Sequence, residues 1–162
     1  MRILALLLSL LALPFAAGAV ETGAAAPRFE VAGQKGQVTL AQFEGKVLYL
    51  DFWASWCAPC RQSFPWMGDM QAKYADQGLL VLAINLDAKA EDAFKFLGAV
   101  PARFILGFDA VGVSPRMYSI KAMPSSFLID RKGKVLAVHR GFEPADRARL
   151  EAEIQAALKA NP

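Results

Sequence analysis

Apolar and polar residues alternate along the chain in blocks that predict strands and helices in turn. Two nearly continuous apolar runs, at 47–53 and 79–86, have the length and composition of central strands that are buried on both faces. Between these runs, apolar residues recur at helical spacing over residues 58–74. We therefore expect a helix there, with a kink at Pro65 and an end near Gly78.

The remaining blocks predict shorter elements on either side of this strand–helix–strand unit. These are a pair of edge strands at 29–31 and 38–40, a helix at 90–97, a strand at 104–108, a hairpin with strands at 127–130 and 134–139, and a terminal helix that begins at Pro144. Strands that alternate with helices and end in a hairpin predict an α/β domain. Its central mixed β-sheet is flanked by helices on both faces and carries an N-terminal β extension.

The first 19 residues have the layout of a secretory signal. Arg2 precedes an apolar run over residues 3–17, and the small residues around Gly18 form a cleavage pattern. We expect cleavage after Ala19 and a periplasmic or otherwise exported protein. An N-terminal membrane anchor is the alternative, but a span needs about 20 strongly apolar residues. Pro14 and Gly18 weaken the last third of this run.

Length and composition are those of one folded domain. The chain has 162 residues, 55% hydrophobic and 20% charged, which excludes a disordered protein. Residues 20–27 are rich in Ala and Gly and have no apolar period, so we expect a flexible leader ahead of a domain at 28–162. The net charge is +3, and the Lys and Arg residues are scattered among acids. This charge pattern excludes nucleic-acid binding. We also expect the protein to be a monomer.

The spacing of the two cysteines, Cys57 and Cys60, indicates a redox-active pair rather than a structural disulfide. A disulfide across two intervening residues closes a very short loop, so it stabilises a fold only slightly. The pair follows a predicted buried strand and opens a predicted helix, where free backbone N–H groups favour a thiolate. We expect Cys57 to be the exposed nucleophile and Cys60 the shielded thiol that resolves a mixed disulfide.

Metal binding is the main alternative for such a pair. A zinc site made of Cys and His residues cannot be completed, because His139 is the only histidine. We expect His139 to be a surface or packing residue. The reduced pair could still hold Cu(I), for which thiolates are suitable ligands. No metal site and no cofactor other than the redox-active Cys57–Cys60 disulfide is expected.

The segment at 50–60 reads LDFWASWCAPC and resembles the active-site strand and turn of thioredoxins almost residue for residue. The blocks at 26–29, 38–47 and 118–135 are similar to those of the exported TlpA and ResA branch of that superfamily. The resemblance covers essentially all of residues 26–159. It implies the thioredoxin fold and a redox role in the periplasm or at the cell surface.

The same resemblance assigns a substrate-binding edge. Met123-Pro124 matches the family's cis-proline loop, which packs against the catalytic pair and offers backbone groups to an extended substrate. Trp56 and Pro59 flank the cysteines and are expected to shape the same edge.

Asp51 lies inside an otherwise apolar strand. In thioredoxins the matching position is a buried Asp that relays a proton to and from the resolving thiol, whereas the TlpA and ResA branch often has Asn there. The lysine that neighbours this Asp in thioredoxins aligns with Ala83 here. We favour a catalytic proton-transfer role for Asp51, with a purely structural role as the alternative.

The function expected from these features is that of an exported thiol:disulfide oxidoreductase. It would reduce disulfides of periplasmic client proteins, for example cysteine pairs that await haem attachment in cytochrome c maturation or copper in the assembly of a copper site. A membrane thiol-disulfide carrier would supply its electrons. Ala58-Pro59 lacks the histidine that strongly oxidising relatives carry between the cysteines, which favours a reductant. A disulfide oxidase or isomerase is the alternative.

Overall fold

The computed structural model describes residues 20–160, so the predicted signal sequence at 1–19 lies outside it. Strands and helices alternate in the described part, as expected. The elements are β1 (Glu30–Gly33), β2 (Gly36–Thr39), β3 (Val47–Trp53), α1 (Cys60–Tyr74), β4 (Leu79–Asn85), α2 (Ala90–Ala99), β5 (Ile105–Phe108), α3 (Val113–Met117), β6 (Ser125–Ile129), β7 (Val135–Arg140) and α4 (Arg147–Ala160).

All seven of these strands form one mixed sheet in the order β2-β1-β5-β4-β3-β6-β7. The central strand β3 runs parallel to β4 and antiparallel to β6, and every one of its residues is buried. The β1–β2 hairpin extends the sheet at one edge, next to β5, and the β6–β7 hairpin closes the other. The predicted mixed sheet with an N-terminal β extension is confirmed.

The sheet separates two core layers. Side chains of a strand point alternately to its two faces, and Tyr49 and Trp53 of β3 lie in the layer covered by α1, α2 and α4. Leu50 and Phe52 lie in the opposite layer, which packs against Tyr118 at the end of α3. Helices therefore cover both faces, and we call the first layer the α1/α4 layer.

Residues 20–27 do not form the flexible leader that their composition suggested. The backbone N–H of Gly23 donates a hydrogen bond to the carbonyl of Val135, and the N–H of Val135 donates to the carbonyl of Ala24. The side chain of Val20 is buried. The segment turns at Thr22 and Gly23 and then lies against the start of β7. Composition failed as a guide because main-chain hydrogen bonds hold the segment and need no apolar period.

The helices differ from the prediction mainly at their ends. Ala58 and Pro59 form the turn that enters α1, so this helix begins at Cys60, and it then continues through Pro65. The short helix α3 carries no period that the sequence could reveal. Within residues 20–160 the structure contains no helix with the length and apolar character needed to cross a bilayer.

Candidate active site

Cys57 and Cys60 lie where β3 ends and α1 begins, and they are joined by a disulfide with an S–S distance of 2.02 Å. The backbone N–H of Cys60, the first residue of α1, donates to Cys57 Sγ at 3.3 Å. N–H groups in the first turn of a helix have no intrahelical acceptor and favour negative charge. The same N–H can stabilise a Cys57 thiolate once the pair is reduced.

Both cysteines are more enclosed than the sequence suggested. Cys60 is 0% exposed, as expected of a shielded thiol, but Cys57 is only 3% exposed. The difference arises because Cys57 belongs to the α1/α4 layer rather than to a protruding loop. Another sulfur atom can therefore reach Cys57 Sγ only along a restricted direction.

The turn before Cys57 is held by a carboxylate that the sequence analysis missed. Asp87 accepts the backbone N–H of Ser55 at 2.9 Å and the Ser55 hydroxyl at 3.0 Å. Asn85 donates its side-chain amide to Asp87 at 2.8 Å and so orients it. A signal was present, because two polar residues close the apolar run of β4 at the sheet edge where β3 also ends. We infer that Asp87 positions the active-site turn.

The residues assigned to substrate binding lie along the same edge of the sheet. The Met123-Pro124 bond is cis, as the resemblance implied. Pro124 directly precedes β6, whose first residue pairs with Phe52 of β3, and Met123 packs against the layer that contains the disulfide. Trp56 is 72% exposed, and Pro59 is half-buried. Exposed Trp56 and the Met123-Pro124 loop therefore lie at the edge of the sheet that carries the disulfide.

Asp51 is buried in the middle of β3, and its Oδ2 atom has no hydrogen-bond partner. Burial raises the pKa of this carboxyl well above its usual range. Ala83 of β4 lies directly opposite, where thioredoxins place a lysine, so this position offers no cation to offset the burial. A carboxyl with a raised pKa can stay protonated at the pH at which an ordinary Asp is charged. It can then exchange a proton with a neighbouring group.

Asp51→Asn should make the oxidised protein more stable, by an amount that grows with pH. The folded-state pKa lies above the usual 3.8, so folding favours the protonated form. The free energy of unfolding then falls as pH rises between the two values, by about 1.4 kcal/mol for each pH unit in that window. Asn removes this titration. Thermal unfolding of both proteins from about pH 4 to about pH 8 measures the effect, and a pH-independent difference would contradict it.

The structure has a mixed sheet with helices on both faces, a cysteine pair at the start of a helix and a cis-proline at the same edge of the sheet. Together these features define a thioredoxin-fold thiol-disulfide protein. Residues 21–155 match the family model named Redoxin, and the chain belongs to this family. The fold and the thioredoxin-like, ResA-like relationship expected from the sequence are confirmed.

Named relatives agree with this placement. The thiol-disulfide oxidoreductase ResA of Bacillus thuringiensis subsp. konkukian is 32% identical over 129 residues, which cover 79% of this chain and 75% of the relative. A Chlorobium tepidum structure assigned as thiol:disulfide interchange protein DsbE is 58% identical, with a TM-score of 0.85 over 86% of this chain and 99% of that one. A Bacteroides thetaiotaomicron structure assigned as a protein disulfide isomerase is 30% identical, with a TM-score of 0.78 over 86% and 91%. This chain is a thiol-disulfide oxidoreductase.

Proposed function

We propose that this oxidoreductase is a reductant of protein disulfides, in which Cys57 attacks the client and Cys60 resolves the mixed disulfide. The observation that carries the proposal is the buried Asp51, whose Oδ2 atom has no partner. It lies two residues from Trp53 on the same face of β3, and Trp53 shares the α1/α4 layer with both cysteines. A shielded thiol needs such a proton acceptor before it can attack.

The reaction moves two electrons to the client. The Cys57 thiolate attacks one sulfur of the client disulfide, that S–S bond breaks, and the second client sulfur leaves and takes up a proton. Asp51, as carboxylate, removes the proton from Cys60. The Cys60 thiolate then attacks Cys57 Sγ, which releases the other client sulfur as a thiolate that takes up a proton from solvent. The product is the Cys57–Cys60 disulfide present in this structure.

We place this reaction outside the cytoplasm, on exported clients whose cysteines must be reduced before they receive haem or copper. A membrane thiol-disulfide carrier would reduce Cys57–Cys60 after each cycle. The signal-like sequence at 1–19 supports this location, and the similarity to ResA and DsbE proteins supports the thiol-disulfide chemistry.

The reduction potential of the Cys57–Cys60 pair should be low. A reductant must hold its electrons less tightly than the client thiols, and thioredoxin has a potential of about −270 mV, against about −120 mV for a strong oxidant. Equilibration with defined mixtures of reduced and oxidised dithiothreitol or glutathione, followed by thiol trapping, gives the value. A potential clearly above about −180 mV would assign the protein to disulfide formation or isomerisation instead.

Cys60→Ala should trap clients on Cys57. Without the resolving thiol, the mixed disulfide persists and can be isolated from the native host under non-reducing conditions. We expect exported proteins that carry a cysteine pair for haem or copper. The matched control is the double variant Cys57→Ala/Cys60→Ala, which cannot form the bond. If the proteins captured through Cys57 bind neither haem nor copper, the proposed client class is wrong.

A further inference from the structure

A row of polar side chains crosses three strands beside Asp51. Ser126 of β6 is the register partner of Asp51 of β3 on one side and of His139 of β7 on the other. Side chains that are directly opposed on neighbouring strands have Cβ atoms about 4.5–5.5 Å apart. Tyr49 fixes the face on which they lie, because its hydroxyl is 2.8 Å from Ser126 Oγ and its ring stacks on His139. The row therefore runs through the α1/α4 layer to the edge of the sheet.

At the outer end of this row, His139 is oriented by a carboxylate. His139 Nε2 lies 2.6 Å from Glu153 Oε2, and the other oxygen of Glu153 accepts from Arg149 at 2.9 Å. A carboxylate paired with a guanidinium only accepts hydrogen bonds, so the imidazole donates its Nε2–H. The lone pair of neutral His139 is then on Nδ1, which is buried and has no hydrogen-bond partner.

Unpartnered polar atoms are concentrated around this row. Within residues 20–160, Asp51 Oδ2, His139 Nδ1 and Trp66 Nε1 are three of the four buried side-chain N or O atoms without a partner. Trp66 packs edge-on against Tyr49 at 5.4 Å. Nearly all buried polar groups in folded proteins are paired. Asp51 Oδ2 and His139 Nδ1 therefore each have the capacity for a further hydrogen bond within this row.

We propose that Ser126 and His139 form a proton path between Asp51 and solvent, with Glu153 as the positioning residue for the imidazole. This path rests on the proposed role of Asp51 and adds the exit route that the carboxyl needs. Whenever Asp51 is protonated, which its burial favours, it must lose that proton before it can accept the one from Cys60. The path supplies the step in which the carboxylate is formed.

The transfer balances at every atom. The path requires that the Ser126 hydroxyl come within hydrogen-bond distance of Asp51 and of His139 Nδ1, both of which are unpartnered in the structure. The hydroxyl then takes the proton of the Asp51 carboxyl and passes its own proton to Nδ1. The resulting imidazolium is stabilised by Glu153 and releases the Nε2 proton at the Glu153 side chain, which is 31% exposed. Ser126 regains a neutral hydroxyl, His139 is left with its proton on Nδ1 instead of Nε2, and one proton has left the interior. A turn of the imidazole ring then restores the Nε2–H form before the next transfer.

The charges around the row favour this direction of transfer. Burial raises the pKa of Tyr49, so its phenol stays neutral and holds Ser126 without competing for the proton. The titratable and charged groups around His139 are Tyr49 and Asp51 on β3, Glu153 and Arg149 on α4, and Asp146 just before α4. The carboxylates of Glu153 and Asp146 therefore lie at the solvent end of the row, where the proton leaves.

His139→Phe and Ser126→Ala test the path by rapid mixing of reduced protein with a disulfide substrate. Phe keeps a ring against Tyr49 but removes both nitrogens. We expect mixed-disulfide formation to be unchanged and its decay near neutral pH to be slowed by about tenfold in each variant. His139→Ala should recover part of the lost rate when free imidazole is added, because a small base can enter the space. Glu151→Gln, on the same helix but bonded to Lys73 and Tyr74, is the matched control and should behave as wild type.

The double variant Asp51→Asn/His139→Phe separates the path from the function on which it rests. Decay in this variant should equal that of Asp51→Asn alone, because without the carboxyl there is no proton to export. Normal decay in His139→Phe and Ser126→Ala, together with slow decay in Asp51→Asn, would overturn the path and leave the role of Asp51 standing. Normal decay in Asp51→Asn removes that role as well. An equal slowing by His139→Phe with and without Asp51 would show a structural effect and would also overturn the path.

Discussion

Cys57→Ala should abolish disulfide reduction and leave the fold intact. No other thiol can take over the attack, because Cys60 is fully buried and the chain has no further cysteine. The lost disulfide spans a separation of three residues, so its contribution to stability is small. Turnover of an aromatic disulfide, followed by absorbance, should fall to the rate without enzyme. Circular dichroism of the variant should match that of the wild-type protein.

Cys60→Ala provides the comparison for this result. It keeps the nucleophile, so it should release one equivalent of leaving thiol in a burst and then stop as the mixed disulfide. Continued turnover by Cys57→Ala would mean that Cys57 is not the attacking group, even though it accepts the N–H at the start of α1.

The hydrophobic pattern of the sequence was sufficient to predict a strand whose residues are all buried. The apolar run of β3 predicted a central strand on its own, since a strand covered on both faces has no polar side. The position of Cys57 at the end of that strand followed directly. The β6–β7 hairpin was also predicted, because the turn residues at 130–133 separate its two apolar strands. Gly133 adopts a positive φ in this turn, which glycine tolerates.

Features that depend on strand register could not be predicted in the same way. That Ser126 stands between Asp51 and His139 follows from the pairing of β3, β6 and β7, and the sequence alone does not give that pairing. His139 was expected to be a surface or packing residue. Its ring does stack on Tyr49, but the residue is half-buried and its Nε2 atom is hydrogen-bonded to Glu153. These contacts orient the imidazole, which a packing role alone does not require. Asp87 was missed for a similar reason, because its partner Ser55 lies on a different strand end.

Asp51→Asn should slow the release of product far more than the initial attack. The attack uses a Cys57 thiolate that is stabilised at the helix start. Resolution instead requires Cys60, which is fully buried, to lose a proton. General-base catalysis typically contributes about 10²- to 10⁴-fold, and we expect the lower end because water can replace the carboxylate in part. Rapid mixing should show mixed-disulfide formation at the wild-type rate and decay about 10²-fold slower near neutral pH.

The pH dependence of this deficit is the sharper part of the prediction. Because the pKa of Asp51 is raised, the wild-type protein forms its carboxylate increasingly as pH rises, and its decay rate should rise with it. The Asn variant lacks this titration and depends on ionisation of Cys60 without help. Its deficit should therefore shrink only at alkaline pH, at which the thiol ionises unaided. Equal decay of the two proteins at neutral pH would show that Asp51 is not the proton acceptor, and its burial in β3 would then be structural.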